Sequence, residues 1–139
     1  MGKCGTCIKK YGDLLYFVGR VVVGLMFMLH GGQKLFGWFG GVGGDGASVA
    51  LVSLMGLAGV VEFFGGLGIA LGLFSRLLAG LGAIQMIIAY FKVHFGAGWN
   101  PLLNQGELAL LYLAAFLMIS VLGNGKWNLE KSLLGKETF

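Results

Sequence analysis

The sequence predicts an all-α integral membrane protein, a four-helix bundle with both termini cytoplasmic. Three observations carry that prediction. Hydrophobic residues make up 57% of the 139 residues and charged residues 12%, against about 45–50% and about 25% in soluble domains. Four long apolar runs are separated by short glycine-rich or basic turns. Lys and Arg gather on one side of those runs, as topology requires. Mean hydropathy is +0.84. With 27 glycines, one proline and two cysteines, the composition excludes a disordered chain, a disulfide scaffold and a soluble enzyme. At about 20 residues per crossing, four helices use roughly 80 residues, and no apolar run is left for a fifth. The net charge of +4 in so apolar a chain is a membrane signal, with no nucleic-acid partner implied.

Residues 1–12 form a polar N-terminal segment holding Cys4 and Cys7. Their CxxC spacing is that of a redox or metal motif. No third Cys or nearby His completes a zinc site, and no βαβ pattern supplies a thioredoxin-like context. The first span is expected from about Leu14 to Leu35. Lys3, Lys9 and Lys10 ahead of it give the look of a signal peptide. However, Arg20 interrupts the run and no small-x-small cleavage site follows, so the segment is read as a retained helix. The second span runs from about Val49 to Leu73, interrupted only by Glu62, and the turn Phe74-Ser75-Arg76 leads into a third from Leu77 to Phe95. The fourth runs from about Gln105 to Leu122, with Asn104 and Glu107 spaced as a capping box. The four spans make one domain over residues 13–123, followed by a polar cytoplasmic tail over 124–139.

Seven cations (Lys3, Lys9, Lys10, Arg76, Lys126, Lys131 and Lys136) fall on one side, and two (Lys34 and Lys92) on the other. This asymmetry places both termini in the cytoplasm. The loop Gly41-x-Gly43-x-x-Gly46 has the letters of a dinucleotide fingerprint but lacks the strand and βαβ unit that give it meaning. The small residues Gly59, Gly66, Gly68 and Gly72, and Ala79, Gly80, Gly82 and Ala83, serve close helix packing.

Polar groups at membrane depth carry the functional signal, because an ionisable side chain in hydrocarbon needs a partner inside the bundle. At about 1.5 Å per residue, Arg20 lies roughly 9 Å, Glu62 roughly 17 Å and His30 roughly 24 Å above the inner edge, with His94 level with His30. An Arg20–Glu62 pair is therefore expected. It is read either as a buried ion pair that fixes helix register or as a proton-exchanging site centred on Glu62. His30 and His94 are the only histidines. With Gln33, Lys34, Lys92 and Glu107 they form a polar cup toward the outer side, above Glu62. Lys34 and Lys92 are assigned to the headgroups, where long side chains snorkel.

These residues also carry a family resemblance. Arg20, then His30-Gly31-Gly32-Gln33-Lys34-Leu35, Glu62-Phe63-Phe64-Gly65-Gly66-Leu67, Leu71-Gly72-Leu73-Phe74-Ser75-Arg76, Ala89-Tyr90-Phe91-Lys92-Val93-His94, Asn104-Gln105-Gly106-Glu107 and the close Gly123-Asn124-Gly125-Lys126-Trp127 resemble, in order and spacing, the DoxX family of small four-helix membrane proteins. The likeness spans about residues 13–130, leaving the Cys pair outside. It implies association with membrane redox systems. A related subunit belongs to an archaeal thiosulfate:quinone oxidoreductase, and other members are linked to quinone or thiol stress. The family supplies no catalytic set, so the site residues rest on depth alone.

The resulting expectation is a quinone-linked or accessory subunit of a membrane redox system in the cell membrane, with no intrinsic cofactor or metal and with quinone as ligand. Glu62, His30 and His94 are the candidate catalytic groups. Arg20, Phe27, Gln33, Tyr90 and Glu107 are the candidate ligand-binding groups, with Phe27 and Tyr90 walling the ring. The implied partners are the lipid bilayer and either redox subunits or further copies of the chain. A small-solute or proton transporter draws on the same polar interior, but no inverted repeat or broken helix is evident. A scaffold subunit draws on the small-residue faces, and a bis-histidine haem site only on the equal heights of His30 and His94.

Overall fold

The computed structural model describes residues 3–138, with side chains from Tyr11 onward. The thiols of Cys4 and Cys7 lie outside the described residues. The described chain is all helical. Helix α1 spans Lys3–Phe36, α2 Leu54–Leu71, α3 Ser75–Ala89, α4 Glu107–Leu122 and α5 Leu129–Leu134. Three stretches are long and apolar enough to cross a membrane: Tyr11–Phe36, Leu54–Leu71 and Ser75–Ala97. The fourth apolar helix has 16 residues and reaches about 24 Å, short of the ~30 Å hydrocarbon core.

Several boundaries differ from expectation. Helix α1 is continuous from Lys3 rather than starting near Leu14. Helix α2 starts at Leu54, five residues after Val49, because the Ser53 hydroxyl caps it by accepting the Gly56 N–H at 3.0 Å. The Asn104–Glu107 capping box does not form. Asn104 Oδ1 instead accepts the Gly106 N–H at 2.8 Å, Gly106 holds the cap position and Glu107 is exposed. Helix α3 does not stop at Ala89 but widens into one π-helical turn over Tyr90–His94. The glycine-rich loop closes on itself through Gly46 N–H to the Gly40 carbonyl at 2.8 Å.

Helix α1 packs chiefly on α2, and α3 on α4. The first pair meets backbone to backbone. A Cβ built at Gly24 would lie 2.7 Å from the Gly66 carbonyl, and one at Gly31 would lie 2.7 Å from that of Gly59. No side chain but hydrogen fits there. These contacts set Gly31 level with Gly59 and Phe63, and Gly24 level with Gly66 and Ala70. The core lies between the pairs: Phe27 meets Phe116 edge-on at 4.7 Å and Tyr112 at 5.4 Å. Gly82 leaves the room that Phe116 occupies.

Both chain ends lie at one end of the bundle. Tyr16 donates to the Gly123 carbonyl at 2.5 Å, and Lys126 stands 3.6 Å from Asp13. The polar tail folds back beneath the helices. Glu130, fully buried, accepts from the Phe74 N–H at 2.9 Å and the Asn124 amide at 2.6 Å. Burial alone would raise its pKa, but these bonds and those from Thr138 hold the carboxyl below its ordinary value.

Candidate functional site

The expected Arg20–Glu62 pair is absent. Arg20, 1% exposed, donates through Nη1 to the Ile69 and Ala70 carbonyls and through Nη2 to the Trp127 carbonyl at 2.7 Å. It therefore neutralises the negative end of α2 and ties it to the tail. The helix register gives the reason. The glycine contacts place Glu62 level with Gly31, about ten residues and roughly 15 Å above Arg20.

The partner of Glu62 is Lys34. Nζ to Oε2 is 2.5 Å, with the two side chains 16% and 5% exposed. Lys34 thus does not reach for headgroups. It turns inward one helical turn beyond His30, beside Gly59, whose missing side chain leaves room for the Lys34 stem. The other carboxylate oxygen accepts from Gln85 Nε2 at 2.6 Å, while buried Gln85 Oε1 has no partner. Three helices thereby meet at one carboxylate.

Beside this cluster lies a cavity of about 200 Å³. Its polar lining is His30, Lys34, Glu62, His94 and Gln105, and its apolar and aromatic lining is Phe27, Met86, Ala89, Leu108, Ala109 and Tyr112. His30 meets Tyr112 edge-on at 5.9 Å. The π-turn brings His94 to the cavity, 3.0 Å from the Asn104 carbonyl through Nδ1. A carbonyl only accepts, so Nδ1 carries the proton, and a neutral His94 keeps Nε2 as an acceptor. The same bond anchors the loop that roofs the cavity. Asn104 Nδ2 to the Gly98 carbonyl at 2.7 Å and Tyr90 to the Trp99 carbonyl at 2.9 Å hold that loop further. Irregular backbone at this depth is tolerated where it lines a cavity.

Of the candidate residues, the structure brings together Glu62, His30, His94 and Phe27. It separates the others. Arg20 is at the opposite end. Gln33 donates to the Gly41 carbonyl at 3.1 Å. Tyr90 is buried against Gly106. Glu107 is exposed in the first turn of α4. Sequence reasoning passed over Lys34 as a site residue, and with it Gln85, Gln105 and Tyr112. A mid-span glutamine was the available signal for Gln85. For Tyr112 it was the buried stripe Ala109, Tyr112, Phe116, Ile119. Among the described residues no group of three or more His, Cys, Asp or Glu is placed to hold a metal.

A small all-helical bundle whose apolar helices carry a paired carboxylate inside defines a multi-pass membrane protein of the inner membrane, in contact with the lipid bilayer. The DoxX family model matches residues 15–95, and the chain belongs to that family. An uncharacterized protein of Haemophilus influenzae is 36% identical over 132 residues, covering 93% of this chain and 98% of its own. The inner membrane protein YqjF of Escherichia coli is 28% identical over 128 residues, covering 91% and 97%. No solved structure matches the chain.

Proposed function

We propose that the chain is a quinone-linked subunit of a membrane redox system, with the cavity between α1, α3 and α4 as its headgroup site and the tail end in the cytoplasm. The observation that carries the reading is a cavity lined both by aromatic and apolar residues and by the paired Lys34 and Glu62 with His30 and His94. Its volume of about 200 Å³ is below the usual range of about 300–1,000 Å³ for drug-sized ligands and suits a single ring. Phe27 and Tyr112 offer aromatic faces, Lys34 offers N–H donors, and Glu62 and His94 Nε2 offer acceptors. A bound quinone would supply two-electron, two-proton chemistry. The chain's own part is to orient the ring and to hold a proton at Glu62 or His94 within reach of it. A redox partner subunit or a further copy of the chain would complete the electron path.

The test is purification from native membranes in mild detergent, solvent extraction and mass spectrometry for co-purified quinone, followed by titration with decylubiquinone. His30→Ala and His94→Ala are expected to weaken binding by about five- to tenfold each, the worth of one hydrogen bond. Lys92→Ala, at an exposed position, is expected to leave it unchanged. Absence of both co-purified quinone and saturable binding refutes the reading.

A further inference from the structure

Tyr112 lines the cavity and is only 8% exposed. Its ring is held by aromatic neighbours. Phe116, one turn further along α4, stacks on it at 5.6 Å and 25°. Phe27 of α1 packs against it at 5.4 Å and 46°, and His30 meets it edge-on at 5.9 Å. A ring held in this way carries its hydroxyl to one place. Side chains on a helix lean toward its N-terminus. The hydroxyl therefore points back along the cavity-lining stripe Tyr112, Ala109, Leu108, Gln105, toward the end where the loop roofs the site.

That hydroxyl has no hydrogen-bond partner among the described residues. The Glu62 oxygens take their donors from Lys34 and Gln85 instead. The buried side-chain atoms sealed away without a partner are Arg20 Nε, Ser75 Oγ and Gln85 Oε1 among the described residues. The Tyr112 oxygen is not one of them, so it opens onto the space that its ring lines. A buried phenol normally finds a partner for its O–H, because stripping water from that group costs free energy. Phenylalanine would fill the same place between Phe27 and Phe116 without that cost.

We propose that the Tyr112 hydroxyl is the hydrogen-bond donor to one carbonyl oxygen of the ring bound in the cavity, and that it selects a carbonyl-bearing ring over an apolar ring of similar size. The inference rests on the quinone reading above and adds the group that recognises the oxygen. Lys34 also has N–H donors, but its charge is paired with Glu62, and drawing it away would strand a buried carboxylate. Tyr112 donates without giving up any bond. A site with such an unpaired donor discriminates against a ligand that lacks the acceptor.

The test titrates decylubiquinone, and decylbenzene as a tailed ring without oxygen, into the detergent-solubilised parent and Tyr112→Phe. Thermal unfolding of the ligand-free proteins and the infrared carbonyl stretch of bound decylubiquinone complete it. Tyr112→Phe is expected to bind decylubiquinone about fivefold more weakly, to bind decylbenzene as the parent does, and to move the bound carbonyl stretch to higher frequency. Its ligand-free Tm should stay level or rise, because no bond within the protein is lost. If the parent binds decylubiquinone and Tyr112→Phe matches it in affinity and carbonyl stretch, this proposal is overturned and the quinone reading stands. A lower ligand-free Tm also overturns it, since the hydroxyl then serves the fold. No saturable binding by the parent overturns the quinone reading and this proposal with it.

Discussion

The Lys34–Glu62 pair is the point at which stability and site chemistry can be separated by a double-mutant cycle. At 2.5 Å and an effective dielectric near 20, the Coulomb attraction is about 6–7 kcal/mol. Desolvating two ions costs several kcal/mol each, so the intact pair is close to neutral in net stability. Removing one partner leaves the other charge buried and is expected to cost about 3–5 kcal/mol. Lys34→Met and Glu62→Leu should therefore each lower stability strongly. The double variant should return to within about 1–2 kcal/mol of the parent, the residue being the Gln85 amide that has lost its acceptor. The coupling energy, at least about 3 kcal/mol, is read from denaturant titration of detergent-solubilised protein followed by tryptophan fluorescence. Single losses below about 1 kcal/mol that simply add in the double variant would show that the two side chains do not interact, and the site geometry would fail with them.

Glu130, whose carboxyl is held below its ordinary pKa by hydrogen bonds, contributes stability above the ordinary carboxylate range and loses it as pH falls through its depressed folded value. Hence Glu130→Gln should lower Tm at neutral pH, and the gap to the parent should close in strong acid; a gap that stays constant from pH 7 to about pH 3 counts against the clasp. Gly24→Ala should destabilise, since its Cβ meets the Gly66 carbonyl, whereas Gly80→Ala, where nothing lies within 4 Å, should be neutral or stabilising by up to about 1 kcal/mol; thermal melts of both decide it. Deleting Val93 removes the extra residue of the π-turn and turns His94 by about 100°. Decylubiquinone binding should fall with helix content unchanged by circular dichroism, and unchanged binding would show that the turn does not place His94.

The four helices were legible because each apolar run is long and bounded by glycine, a basic residue or proline, which is a one-dimensional signal. The gathering of His30, His94 and Glu62 was partly legible because depth is also one-dimensional. What depth counting misses is the register between helices. Gly59 and Gly66 were read as packing residues, but which α1 glycine faces which of their carbonyls depends on how far α1 slides along α2. That slide decides whether Arg20 or Lys34 meets Glu62. The tail was illegible for a different reason. Glu130 and Asn124 look like solvated polar residues, and only tertiary hydrogen bonds to the turn at Phe74 make them buried.

The clasp at the tail has a consequence for how the molecule is made. Arg20 and its acceptor at Trp127 are separated by 107 positions, so at ribosomal speeds of about 5–20 residues per second the arginine is in place for roughly 5–20 s before that carbonyl exists. Phe74 likewise opens α3 before Glu130 has been translated. The four apolar helices are therefore complete in sequence before the stretch that clasps them. A released chain truncated before Trp127 should stay open to membrane proteases, although every apolar helix is already present.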